Sequence, residues 1–288
     1  MKEDIEVLKH TNIIINPCQI NLDVINDIRA VILKSYTHLF EAVIVHGSIA
    51  TNEIIPYSDF DGILIVKDEF SQSVELKKFI RKTSRIIYNF DPLQHHGWFI
   101  IRKSEFTNYD TTYLPLELFE HSKLIYPNLD VTFEVKVMEN IDFFKPFDDL
   151  SYSILKKIER NNYKKNSFQL KSYLSQIMLL PCLYLQAKNK KGVHKKHSFS
   201  IAKKDFDKIS WKAIEISSDI RVNWNYKINY FQKIITKSNN YIITYLFKNF
   251  LAPKINDDLN KKINNNFNES LIRLINQMRK HLKKIRNY

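Results

Sequence analysis

A chain of 288 residues, 44% hydrophobic and 26% charged, has enough apolar material for packed cores and room for two domains. Its two cysteines, Cys18 and Cys182, exclude a disulfide framework and a cysteine-based zinc site. A formal charge of +13 points toward a polyanionic partner, but Lys, Asn and Ile are abundant together and only 4 Gly occur, a bias that AT-rich coding produces without any such partner.

The opening MKEDIEVLKH is charged throughout, unlike a secretory leader, and the longest apolar run, Ile177 to Leu185, is short and contains Pro181. The expectation is a cytoplasmic protein with no membrane segment. From Asn21 to Leu39, apolar residues at Leu22, Val24, Ile25, Ile28, Val31, Ile32 and Leu33 follow a period near 3.6, which predicts a helix with Asn21 as its cap. Val43 to Val45 reads as a buried strand. Gly47-Ser48 follows directly: the glycine permits a sharp turn and a close approach to the backbone, Ser48 can cap a short helix, and free N–H groups at such a turn favour an anion.

Eleven residues after Ser48 come Asp59-Phe60-Asp61, leading into a second apolar strand, Ile63 to Val66. At period two the carboxylates share one side of the strand and Phe60 takes the other. Two carboxylates beside apolar strand residues repel each other and are costly unless a cation joins them, and magnesium takes such oxygen donors together with substrate phosphates. A Gly-Ser turn and an Asp-x-Asp strand at this interval resemble the signature of the DNA polymerase β-like nucleotidyltransferases. The resemblance implies an α/β core with a mixed sheet, two magnesium ions held by Asp59 and Asp61, a triphosphate on Gly47 and Ser48, and transfer of a nucleoside monophosphate from ATP or another nucleoside triphosphate.

Val74 to Tyr88 predicts a second amphipathic helix with Ser73 as its cap, and Leu93 to Ile101 predicts a third strand. In the resembled family this strand carries a third carboxylate, as a metal ligand or as the base for the attacking hydroxyl. Here it reads Leu93-Gln94-His95-His96-Gly97-Trp98-Phe99-Ile100-Ile101 and holds no acid. Strand alternation allows only one of His95 and His96 to face the site. His96 or Asp91 is the expected catalytic base, with Glu105 and His95 as further candidates and Glu134 as a distant one. Downstream, the segment from Tyr113, within TTYLPLELFEHSKLIYP, predicts a short helix, and Asp130 to Val137 a strand or extended arm.

Beyond Pro146 the pattern turns helical, with stretches at Ser151 to Asn161, Ser167 to Lys188, Trp211 to Ser217, Ile228 to Asn249 and Asn256 to Lys284. Within it, the Gly192-containing loop KNKKGVHKKHSFSIAKKDF is similar to a turn in the helical domain of aminoglycoside nucleotidyltransferases. That likeness implies that Lys195 or Lys196 supplies a mobile point charge to the triphosphate.

The expected fold class is α+β, with a nucleotidyltransferase domain at 1–145, a helical bundle at 146–288, and the site in the cleft between them. The expected function is magnesium-dependent transfer of a nucleoside monophosphate, AMP before others, to a hydroxyl of an aminoglycoside-like small molecule. Two alternatives remain open on the sequence. One is transfer to RNA or protein, which the basic charge favours; the other is nucleotide binding without turnover, which the missing acid favours.

Overall fold

The computed structural model describes residues 10–236, 238 and 241–286. The charged opening stretch read above as unlike a leader thus lies, up to residue 9, outside the described residues, as do three positions of the helix expected over Ile228 to Asn249. The chain divides into two compact units. One holds the chain up to Ile54, then Ser58–Ile141 and Asn229–Phe247; the other holds Ile55–Tyr57, Asp142–Ile228 and the chain from Lys248 onward.

The first unit mixes strands and helices. In chain order it comprises β1 (His10–Ile15), α1 (Asp23–Ser35), β2 (Phe40–His46), the single turn α2 (Gly47–Ala50), β3 (Asp61–Val66), α3 (Val74–Phe90), β4 (Trp98–Arg102), α4 (Glu117–Glu120), β5 (Lys123–Tyr126) and β6 (Val131–Lys136). Two further helices, Tyr230–Thr236 and Tyr241–Leu246, also belong to it. A four-stranded sheet runs β4-β3-β2-β5, and β1 pairs with β6 in a separate ribbon. The sheet is mixed: β3 lies antiparallel to β2 and parallel to β4.

Alternation along the strands sorts the core into two layers. Val43, Val45, Leu64 and Val66 face Ile25, Ile28 and Ile32 of α1 and Leu76 and Phe79 of α3. Ala42, Ile44, Ile63 and Ile65 face the ribbon, where Ile13, Ile15, Phe133 and Val135 are buried. The sheet is therefore covered on both sides, which accounts for central strands that read as continuous apolar runs.

Ser73 caps α3, accepting from the Leu76 N–H at 3.0 Å, as expected. Asn21 does not cap α1. Its side chain accepts from Asn26 instead, and the cap position falls to Leu22. Two expectations for strands need correction. The third strand starts at Trp98 rather than Leu93, for a reason given below, and the short strand β5 follows α4 where only a helix was expected.

From Lys145 to Arg286 the chain is almost entirely helical. Its second-unit helices are α5 (Lys145–Glu159), α6 (Ser167–Ile177), α7 (Leu180–Asn189), α8 (Lys195–Ala202), α9 (Lys208–Val222), α10 (Asp257–Lys262) and α11 (Asn265–Arg286). The single stretch expected over Ser167 to Lys188 is broken at Met178-Leu179, because Pro181 sits in the first turn of a new helix, where its missing N–H costs nothing. Asn166 and Asp207 cap α6 and α9 through side-chain oxygens. Helix α9 packs on α11, where Ser270 Oγ accepts the Ala213 N–H at 3.1 Å. Tyr57, from the short segment assigned to this unit, donates to the Lys171 carbonyl and presents its ring to Lys171 Nζ at 5.1 Å and to the Arg221 guanidinium at 4.8 Å. No helix among the described residues is long and apolar enough to cross a membrane.

Gly62 shows how closely β3 and β4 are fitted. A Cβ there would stand 2.6 Å from Trp98 Cε3 and 2.7 Å from Phe60 Cε1, and the Trp98 ring is itself held by a 2.9 Å bond from Nε1 to Thr83 Oγ1. Gly62→Ala is therefore expected to destabilise the protein by about 1–3 kcal/mol through overpacking. Denaturant unfolding checks this, and an unchanged midpoint would show that the rings can move aside.

Candidate functional site

Antiparallel pairing of β2 with β3 sets His46 opposite Asp61, so the residue after His46 meets the first residue of β3. Gly47 there has φ +69°, a conformation L side chains rarely adopt, and the position its Cβ would fill is only 2.8 Å from Asp61 Oδ2. The close approach allowed by this glycine is thus used by the Asp61 carboxylate. Ser48 does not cap the turn. The cap position is His46, and the Ser48 hydroxyl donates to Ser58 Oγ at 2.9 Å, tying the turn to the residue before Asp59.

Phe60 is buried in the helix-facing core and packs edge-on against Trp98, whereas Asp59 and Asp61 are only partly buried. The ladder between β3 and β4 begins at the Gly62–Trp98 pair, two residues too late to pair Phe60. The buried Gln94 side chain takes its place. Gln94 Oε1 accepts the Phe60 N–H at 2.9 Å, while Nε2 donates to the Phe60 carbonyl at 2.8 Å and to the His96 carbonyl at 2.9 Å. Only this orientation of the carboxamide satisfies all three backbone groups, which fixes its assignment.

Because a side chain and not a strand pairs with Phe60, residues 93–97 form an irregular loop. Strand alternation does not govern His95 and His96, and the expectation that only one could face the site is overturned. Their rings stand 3.9 Å apart between centroids, and one ligand atom from each lies within 4.8 Å of one from Asp59. His95 Nδ1 is 3.0 Å from Asp59 Oδ2, and both side chains are nearly buried, at 7% and 9% exposure, whereas His96 is exposed.

The two carboxylates thus divide. Asp61 covers the glycine turn and Asp59 joins the histidines. Both are oxygen donors of the kind magnesium takes, so the residues present fit a divalent cation; the imidazoles are not magnesium's customary ligands.

Of the other expected residues, Asp91 stands at the end of α3. Its Oδ1 accepts the Leu93 N–H at 3.0 Å and its carbonyl accepts the Gln94 N–H at 3.0 Å, so it builds the turn that delivers Gln94. Glu105 is half-buried and bonds Arg102 at 2.7 Å, and Glu134 is an exposed residue of the β1–β6 ribbon. Lys195 and Lys196 open α8 in the helical unit, with Lys196 exposed. Strand β4, Trp98-Phe99-Ile100-Ile101-Arg102, contains no acid.

Sequence reasoning missed His46 and Gln94. His46 Nε2 is buried and makes no hydrogen bond among the described residues. Burial lowers the His46 pKa from its ordinary value; nearby Asp61 works against that shift and His96 adds to it. The available signal was phase, since His46 continues the Ala42–Ile44 alternation onto the face that Asp61 shares.

No protein-family model matches the chain, and neither does any curated protein. Among solved structures, the chain is similar to the crystal structure of spectinomycin adenyltransferase AAD(9) from Enterococcus faecialis with ATP and spectinomycin. That match has 15% identity and a TM-score of 0.42, over 77% of this chain and 96% of that one.

The Gln94 clamp makes a sharp prediction. Gln94→Leu leaves the buried Phe60 N–H and carbonyl unsatisfied, at about 1–3 kcal/mol for each group. Gln94→Glu keeps the shape but sets a second acceptor against two carbonyls, so it is expected to be comparably destabilising at neutral pH. A Gln94→Glu protein with wild-type stability in urea unfolding would contradict the assigned hydrogen bonds.

Proposed function

We propose that the protein is a divalent-cation-dependent nucleotidyltransferase that moves a nucleoside monophosphate, AMP from ATP in the first instance, onto a hydroxyl of a small molecule. The observation that supports this reading is the junction of Gly47-Ser48 with Asp61, where a glycine turn of left-handed backbone and a carboxylate lie side by side; such turns favour anions and such carboxylates favour cations.

In this reading Asp59 and Asp61 hold magnesium, with two ions expected from the family resemblance. Bound magnesium supplies polarisation at the α-phosphate and neutralises charge on the departing pyrophosphate. The backbone at Gly47-Ser48 binds phosphate oxygens. The acceptor oxygen forms a bond to the α-phosphorus as the bond to the β-phosphate bridging oxygen breaks, and pyrophosphate leaves. His96, the exposed histidine, accepts the proton from the acceptor hydroxyl. Asp91, the other candidate base, has a backbone-turn role that supports a positioning part instead.

The acid-free β4 favours a second reading, a protein that binds nucleotide without turnover. The basic charge slightly favours RNA as the acceptor, but the sequence carries no recognised RNA-binding module and no clustered aromatic and basic platform, so the small molecule is kept first. One experiment separates all three. Each α-labelled nucleoside triphosphate is offered with magnesium and either a small-molecule extract or total RNA, using Asp59→Ala/Asp61→Ala as the control. Label is expected in the small-molecule fraction and lost in the double variant. Label in RNA would redirect the acceptor class, and no label despite aspartate-dependent nucleotide binding would establish the second reading.

A further inference from the structure

We propose that Asp59, His95 and His96 form a site for a first-row transition-metal ion of the zinc, cobalt or manganese class, in preference to magnesium. This deepens the functional reading, since Asp59 is shared, and it gives His96 a ligand's role in place of the proton-accepting one offered above; its grounds are the donor set alone. Two imidazole nitrogens and one carboxylate oxygen are the donors of open transition-metal sites, with the remaining positions left to water or substrate. Magnesium, by contrast, takes oxygen donors and sheds water reluctantly.

The geometry is close to what one ion needs. Ligand atoms at about 2.1 Å from a common metal lie about 3 to 4.2 Å from one another. The His95–Asp59 pair already stands at 3.0 Å, and the three donors fall within 4.8 Å. The upper bound exceeds that range by only about half an ångström, and His96, the exposed member, has room to adjust.

The surroundings hold the donors in place from the backbone outward. Gln94 bonds both the Phe60 backbone, next to Asp59, and the His96 carbonyl, so one carboxamide sets the spacing between the carboxylate and the histidine pair. The Phe99 ring lies 6.2 Å from that of His96 and forms an apolar wall on that side. Two ligands are nearly buried and one faces solvent, which leaves an open side for a phosphate oxygen or water. In this account the two histidines, in place of a further acid, complete the donor set. They change the ion preferred rather than abolish the site.

The test uses the full chain, stripped with a chelator and free of nucleotide. Cobalt(II) is titrated in, and its visible d–d absorption reports ligand replacement of its water shell. The expected result is a stoichiometric rise to an intensified, shifted spectrum that zinc abolishes and an equal concentration of magnesium leaves unchanged. His95→Ala and His96→Ala should each weaken cobalt binding by at least about tenfold, the loss typical of removing even an outer-shell partner. Asp59→Asn, which keeps the side chain's shape, should do the same, and matching thermal unfolding of this variant and wild type excludes misfolding as the cause. An aqua-like cobalt spectrum, displacement by equal magnesium, or unchanged binding in Asp59→Asn and both histidine variants would overturn the proposal. Because no nucleotide is present, cobalt binding without nucleotide transfer would fail only the functional reading, and transfer without cobalt binding would fail only this one.

Discussion

Phe60 carries a backbone N–H and carbonyl that no strand reaches, and both lie in a part of the core closed to water. The Gln94 carboxamide answers them as a peptide group would, and most of the site follows from that substitution. It holds Asp59 and Asp61 on either side of a fixed residue. It also ends the β3–β4 ladder at Gly62 and Trp98, which frees the loop before Trp98 from strand geometry. A loop can then do what a strand cannot, and bring two successive histidines to one carboxylate.

The glycine turn is built by the same economy of space. Gly47 takes a left-handed conformation and leaves its side-chain position to the Asp61 oxygen, so the turn and the carboxylate form one surface. Ser48 and Ser58 close the other edge of it. A basic whole-chain charge sets only the general field of such a protein; any preference for a metal ion would rest on a few donors and their spacing.

Much of this was legible in the residues themselves. Val43 to Val45 and Ile63 to Val66 announced two strands buried on both faces, and the Gly-Ser and Asp-x-Asp pair announced the turn and the carboxylates between them, because local periodicity and glycine chemistry decide those features. The Ser73 cap and the helical second half were readable for the same reason. What escaped depends on partners far away in sequence. Nothing local says that Gln94 bonds Phe60, 34 positions earlier, or that β4 therefore starts late. Nor does it say that His46 faces Asp61, which only the antiparallel register reveals. The break before Pro181 was visible as a proline, but whether it kinks or restarts a helix is decided by packing.

The central claim is that the carboxylate at the glycine turn binds a nucleotide through a divalent cation. Calorimetric titration of an α,β-methylene analogue of ATP, which cannot be turned over, addresses it directly with wild type and Asp61→Asn, in the presence of magnesium or manganese and in their absence. The account predicts binding by wild type only with a divalent cation, and its loss in Asp61→Asn at unchanged thermal stability. Equal affinity without any divalent cation, or undiminished binding in Asp61→Asn, would contradict it.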